Sequence, residues 1–228
     1  MSDERRRPTG ATMTLADSRY IAVEGPPGAG VGPLAEKLAE GLGARLVRDP
    51  TADNPFLDRF SNDPKRFGFQ AQVFMLLARY RQQGELQQGD LFQRGGVVAD
   101  YLFARDRLYA RLVLGADELR LYEKVYALLH AQVPRPDLVV YLTARPEVLR
   151  ARIKRRVKST DRVVEAGLID EIAQSLSGYF FRYEDGPLLV VNTSEIDDVE
   201  GTFLEEVIAV IRKTRTGVHH YIPGGHYP

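Results

Sequence analysis

A short apolar run that ends in glycine and proline constrains this chain more than any other feature. Tyr20-Ile21-Ala22-Val23-Glu24 reads as a strand and Gly25-Pro26-Pro27-Gly28-Ala29-Gly30 as a turn, while Leu34, Leu38 and Leu42 recur behind it at helical spacing. A strand, a glycine turn and a helix in that order converge backbone N–H groups and a helix N-terminus on one point, which suits a phosphate. The pattern G-x-x-x-x-G-K-[ST] fits at Gly25 and Gly30, but Val31 stands where lysine belongs and Gly32 where serine or threonine belongs. The lysine supplies charge to the β- and γ-phosphates, and the hydroxyl ligates Mg²⁺. Gly25, Gly28, Ala29, Gly30, Val31 and Gly32 are therefore candidate nucleotide contacts through the backbone, whereas Pro33 has no N–H to offer. The plain alternative is a glycine-rich turn with no ligand. Lys37, one turn into the helix, reads as a solvated lysine more readily than as a replacement.

The rest of the chain alternates strand and helix. Strands are expected at Arg45-Leu46-Val47, Gly96-Val97-Val98, Asp137 to Leu142 and Leu188 to Asn192. Helices are expected over Phe67 to Arg81, Asp117 to Leu129, from Pro146 into the basic stretch Arg152 to Arg156, near Ile169 to Tyr179 and over Val199 to Arg212. This order predicts a P-loop type α/β/α domain, with a parallel five-stranded sheet covered on both faces and a helical lid. Residues 1–18 read as a flexible leader, 19–214 as the domain, and 215–228 as a tail rich in glycine, proline and histidine. His219, His220 and His226 in that tail have no carboxylate or cysteine neighbour to complete a metal site.

Charge and composition narrow the partners. Thirty-one basic and thirty-one acidic residues cancel, which argues against a nucleic-acid or membrane-surface binder. The absence of cysteine excludes disulfides, thiolate nucleophiles and cysteine-bound zinc. No apolar run approaches the roughly eighteen residues of a membrane span, so a cytoplasmic protein is expected.

Further segments matter together with the loop: Asp49-Pro50, Asn54-Pro55-Phe56-Leu57, Phe60-Ser61-Asn62-Asp63-Pro64, Phe69-Gln70-Ala71-Gln72, the run Ala99 to Ala110, and Arg152 to Lys158. From Tyr20 to about Val191 their order resembles the deoxyribonucleoside kinases, particularly the bacterial deoxyadenosine/deoxyguanosine type. The resemblance implies that Asp49 is the catalytic carboxylate, where the family usually has glutamate. It implies that Gln72 and Arg79, seven apart on one helix face, read a base edge. Ser61 falls where a tyrosine holds the sugar, and Asp106 falls on a base-contacting aspartate. Ala99 replaces an aligned acidic residue and Asp100 an arginine that steadies the reacting hydroxyl, leaving Asp100 as a magnesium carboxylate at a strand end. Arg152, Arg156 and Lys158 fall on the basic lid positions that clamp phosphates, with Asp161 at the acidic end and Val157 for the usual glycine. Without the resemblance, Gln72 and Arg79 are an exposed stripe and the lid a solvated basic helix.

The resemblance thus implies a deoxynucleoside-kinase-like protein with losses at Val31, Gly32, Pro33, Ser61, Ala99 and Val157. The expected function is that of a degenerate kinase acting by nucleotide binding or protein association, with ATP and Mg²⁺ as cofactors only where the pocket still works. One alternative is an active kinase moving the ATP γ-phosphate to a deoxynucleoside 5′-hydroxyl, with Asp49 as base. Another is a regulatory or structural homodimer with a vestigial pocket, joined through the helix at Phe67 to Arg81 or that at Asp117 to Leu129.

Overall fold

The computed structural model describes residues 19–89, 96–156, 166–196 and 201–223. Strands β1 (Tyr20–Glu24), β2 (Arg45–Val47), β3 (Val97–Ala99), β4 (Leu138–Thr143), β5 (Leu188–Asn192) and β6 (Val218–Tyr221) form one sheet in the order β2-β3-β1-β4-β5-β6. Every pairing is parallel, with Ile21 opposite Val98 on one side and opposite Leu138 on the other. The expected parallel α/β/α architecture is present, but the sheet has six strands and not five. The sixth comes from Val218-His219-His220-Tyr221, inside the segment read as a tail. Tyr221 is buried against Phe203, and Leu188 pairs with Val218.

Helices cover both faces, and strand alternation decides which residue meets which layer. On one face α1 (Val31–Leu42), α6 (Pro146–Arg156) and α8 (Gly201–Lys213) pack on Ile21, Val23, Val98, Leu138, Val140 and Leu142. On the other, α4 (Arg105–Val113) and α7 (Ala166–Phe181) pack on Ala22, Val139 and Tyr141. Outside α4 lie α3 (Pro64–Gly89) and α5 (Ala116–His130), which share Leu76, Phe103, Tyr122 and Tyr126. A short α2 (Leu57–Asn62) precedes α3. By the same alternation Glu24 follows Tyr20 and Ala22 onto the α4 face. That parity places a carboxylate, with no solvent exposure, at the carboxyl end of the central strand.

The helix starts and stops follow local chemistry. Gly30 caps α1 with φ 95°, and Gly43 ends it with φ 63°, its N–H bonding the Ala39 and Glu40 carbonyls. The helix expected over Phe67 to Arg81 extends to 26 residues. Its polar second half is retained because Gln83, fully buried, hydrogen-bonds Tyr20 and Tyr101 at 3.1 and 3.0 Å. Because β3 and β4 flank β1, the loops after β1 and β3 emerge side by side at the carboxyl edge, where open α/β sheets bind ligands.

Candidate functional site

The loop after β1 keeps the backbone form of a phosphate cradle. Gly28 and Gly30 take φ 88° and 95°, a region that side chains rarely enter, and Ala29 N–H bonds the Pro26 carbonyl. A Cβ at Gly28 would stand 2.7 Å from the Leu149 carbonyl oxygen, so α6 sits directly on the loop. Val31 packs back over Gly25 and joins the apolar core. Among the described residues, a Cβ on Gly32 would meet only Asp100 Oδ2, at 4.0 Å. The space for a hydroxyl side chain therefore remains open and faces the carboxylate that it would accompany. Lys37 lies on the α1 surface with its ammonium 3.6 Å from Glu40.

Arg152, one of the basic residues expected on phosphates, braces the loop here. Its guanidinium donates to the carbonyls of Gly28 (3.4 Å), Thr193 (2.7 Å) and Ile196, and Thr193 Oγ1 donates to the Ala29 carbonyl at 3.1 Å. The Arg156 side chain and residues Val157, Lys158 and Asp161 lie outside the described residues.

Beside the loop, on the α4 face, three carboxylates surround two guanidiniums. Arg105 donates to Glu24 Oε1 from Nε (3.0 Å) and Nη2 (2.7 Å), and to Asp49 Oδ2 from Nη1 (2.8 Å). Arg79 donates to both oxygens of Asp49, at 2.9 and 2.8 Å from Nη2, and through Nη1 to Asp106 Oδ1. Thr51 Oγ1 adds a bond to Asp49 Oδ1 at 2.9 Å. Glu24 completes its own shell with the N–H groups of Gly25 (2.8 Å) and Leu102 (3.0 Å). Tyr101 lies under Arg79, ring centre 5.4 Å from its guanidinium carbon, and is held by Gln82 and Gln83.

Two positive groups cannot neutralise three negative ones, and Asp49 and Asp106 are shifted in opposite directions. Burial pushes the Asp49 carboxyl up, but the Arg79 and Arg105 charges outweigh it and hold it below the ordinary carboxylate range. Burial also raises Asp106, and there Arg79 does not compensate, so its carboxyl lies at about 6. Among the described residues, Asp106 Oδ2 has no hydrogen-bond partner, and neither does the buried hydroxyl of Tyr122. Burial and the nearby Asp49 charge raise Asp100, although its Oδ1 accepts the Asp49 N–H.

Asp49, Arg79 and Asp106 thus meet in one cluster, and Asp100 adjoins it through Asp49. Gln72 is only 7% exposed on the same helix as Arg79, and its amide makes no hydrogen bond among the described residues. Its donor and acceptor are open to a ligand. Ser61 sits near the exposed end of α2, apart from this ion-pair network. The sequence reading missed Glu24 and Arg105. The available signal was a charged residue closing an otherwise apolar strand, which must find a partner once buried.

A family model described as deoxynucleoside kinase matches residues 21–214. The chain belongs to the deoxynucleoside kinase family. It is 31% identical over 153 residues to deoxyguanosine kinase of Bacillus subtilis (strain 168), covering 67% of this chain and 74% of that one. It is 29% identical over 196 residues to deoxyadenosine kinase of Dictyostelium discoideum, covering 81% and 76%. The solved deoxyadenosine kinase from M. mycoides with bound dATP shares the fold with a TM-score of 0.71 at 22% identity, covering 85% of this chain and 98% of that one.

The ATP and magnesium of such a kinase find only part of their usual contacts on this member. The loop offers backbone N–H groups but neither the lysine nor the hydroxyl. Magnesium favours near-octahedral oxygen coordination, and on this edge Asp100 Oδ2 stands beside a glycine. Among the described residues no group of three or more His, Cys, Asp or Glu could hold a metal ion. The residues present do not fit the ion as such loops hold it.

Proposed function

We propose that this family member binds a nucleotide or deoxynucleoside and has lost efficient phosphoryl transfer, acting through ligand binding or protein association. The observation that carries the reading is the empty space beside Gly32, which faces Asp100 from a loop otherwise shaped for phosphate. Losing one preorganised electrostatic contact in a reacting site costs about 3–4 kcal/mol, or roughly a hundred- to a thousandfold in rate. Here the lysine and the hydroxyl are both missing. Asp49 adds to the deficit: with two guanidiniums on its oxygens and an affinity for protons below the ordinary range, it is a weak base towards a sugar hydroxyl.

The acceptor side supports binding. Gln72 offers an amide and Arg79 a guanidinium, with the fully buried Asp106 as the ion-pair partner of Arg79. That combination of donors and acceptors suits the edge of a nucleobase. Self-association belongs to the same reading. Leu121 and Leu128, seven apart on α5, are 53% and 71% exposed, and Leu77 of α3 is exposed as well.

The test is a thermal-shift titration with ATP·Mg²⁺, ADP and purine and pyrimidine deoxynucleosides, run beside a radiolabelled phosphoryl-transfer assay. Binding without turnover is the expected result. Turnover of about 1 s⁻¹ or more overturns the reading and restores the active kinase. No binding by any of these ligands favours the dimer with a vestigial pocket.

A further inference from the structure

Arg105 has more assigned hydrogen bonds than a surface ion pair needs, and their partners are unusual. Nε and Nη2 grip Glu24, Nη2 also reaches the Gly25 carbonyl at 3.3 Å, and Nη1 holds Asp49. The Tyr109 ring supports the guanidinium, with its centre 5.7 Å away. Gly25 is the first residue of the phosphate loop, and Asp49 is the candidate base. Arg105 hydrogen-bonds to both. The fork is also preorganised: Glu24, fully buried at the end of β1, has its remaining capacity filled by the Gly25 and Leu102 N–H groups. A buried arginine fixed by one carboxylate and presented to another sets the second one's position and charge state together.

We propose that Arg105 is a positioning residue of the acceptor site, fixing the Asp49 carboxylate at a set place relative to the phosphate loop so that it meets the 5′-hydroxyl of a bound deoxynucleoside. The proposal rests on the acceptor-site reading above. Arg79 does not supply the same service, because the groups it ties together are Asp49 and Asp106. Arg105 enters from the first turn of α4, five residues beyond Asp100. Asp100 is the position where the family resemblance places a hydroxyl-steadying arginine, so a cation reaches the same carboxylate from a different element.

Two readouts test this with Arg105→Met and Arg105→Lys in the full chain. The first is the carboxyl titration of Asp49, followed by NMR with ¹³C-labelled aspartate and assigned with Asp49→Asn. The expected result is a midpoint below the ordinary aspartate range in the parent, raised in Arg105→Met and restored at least in part in Arg105→Lys. The second is calorimetric binding of 2′-deoxyadenosine against 2′,5′-dideoxyadenosine, repeated with the guanine pair. The parent is expected to prefer the ligand that keeps its 5′-hydroxyl, by about tenfold for a hydrogen bond to a charged group. Arg105→Met is expected to erase most of that preference, and Arg105→Lys to recover part of it. A purely structural role would weaken both ligands alike and leave their ratio unchanged, and that result overturns the proposal. So does an Asp49 midpoint that does not move in Arg105→Met. If neither nucleoside binds the parent protein, the acceptor-site reading fails and the hydroxyl-positioning role built on it falls with it, whereas binding with an unchanged ligand ratio overturns that role alone. Should Arg105→Met fail to fold, Glu24→Gln loosens the fork while keeping the guanidinium, and must shift both readouts in the same direction by less.

Discussion

The two sides of the carboxyl edge have kept different things. The phosphate loop has kept its backbone, with left-handed glycines at 28 and 30, close packing against Leu149 and a brace from Arg152 and Thr193, while Val31 and Gly32 lack the side chains that would grip a triphosphate. The side facing α4 carries a side-chain cluster, in which Asp49 joins Arg79 to Arg105 and Arg79 reaches Asp106. A backbone turn is supported by the strand and helix on either side of it, so its shape does not depend on the side chains at positions 31 and 32. A buried charge cluster has no such support. Removing one member leaves the others unpaired in low dielectric, and the fold itself suffers. The difference teaches that persistence of the acceptor cluster can reflect stability as much as catalysis, and experiments must separate the two.

The largest expected effect comes from breaking the cluster. Asp49→Ala leaves two buried guanidiniums short of a partner and should cost about 3–5 kcal/mol of folding stability, read from urea denaturation. A cost below about 1 kcal/mol would mean that the cluster is held for ligand contact alone. Next comes repair of the loop. Val31→Lys, Gly32→Thr and Pro33→Ser together should raise nucleotide affinity and increase phosphoryl transfer roughly a hundred- to a thousandfold. Calorimetry and the radiolabel assay measure these, and an unmeasurable affinity after repair would show that the loop is closed for another reason.

A smaller effect, of order 1–3 kcal/mol, is expected from pH. The Asp106 carboxyl rises on folding from an ordinary 3.8 to about 6. Its contribution is therefore fullest below about pH 4 and is lost as pH rises through 6. Asp49 is lowered on folding, so its contribution is present above its unfolded value and is lost as pH falls through its folded one. Denaturant midpoints between pH 5 and 7 should accordingly favour the lower pH through Asp106, and Asp106→Asn should remove that component. A slope unchanged in Asp106→Asn would assign it to another group. The smallest change in fold stability, within about 0.5 kcal/mol, is expected for Leu121→Glu with Leu128→Glu. That pair should convert a dimer to a monomer in light scattering without moving the denaturation midpoint.

The sequence was legible where one physical rule acted alone. The β4 run Leu138 to Leu142 is apolar throughout because helices bury both of its faces, and α1 repeats Leu34 and Leu38 because one face meets the sheet. Gln72 and Arg79 share one helix as their spacing requires, but the contact of Arg79 with Asp49 and Asp106 had no local signal, because those partners lie 30 and 27 residues away. Legibility failed where two rules competed. Val218-His219-His220-Tyr221 is polar because β6 is an outer strand that buries mainly Tyr221, so it carried no strand signal. The start of α4 at Arg105 was hidden because Arg105 and Asp106 are charged yet turned inward. Their partners, Glu24 and Arg79, lie 81 and 27 residues away, beyond any local pattern.

The sixth strand has a practical consequence for handling the protein. β6 lies along β5, whose Leu188-Leu189-Val190-Val191 would otherwise present its backbone at the margin of the sheet. Trimming the chain before Val218 would turn that margin into an adhesive strip for a second molecule's backbone. A cleavage site or purification handle grafted immediately after Tyr221 would pull on the same pairing. Where the chain is cut or extended at this end is therefore a decision about solubility.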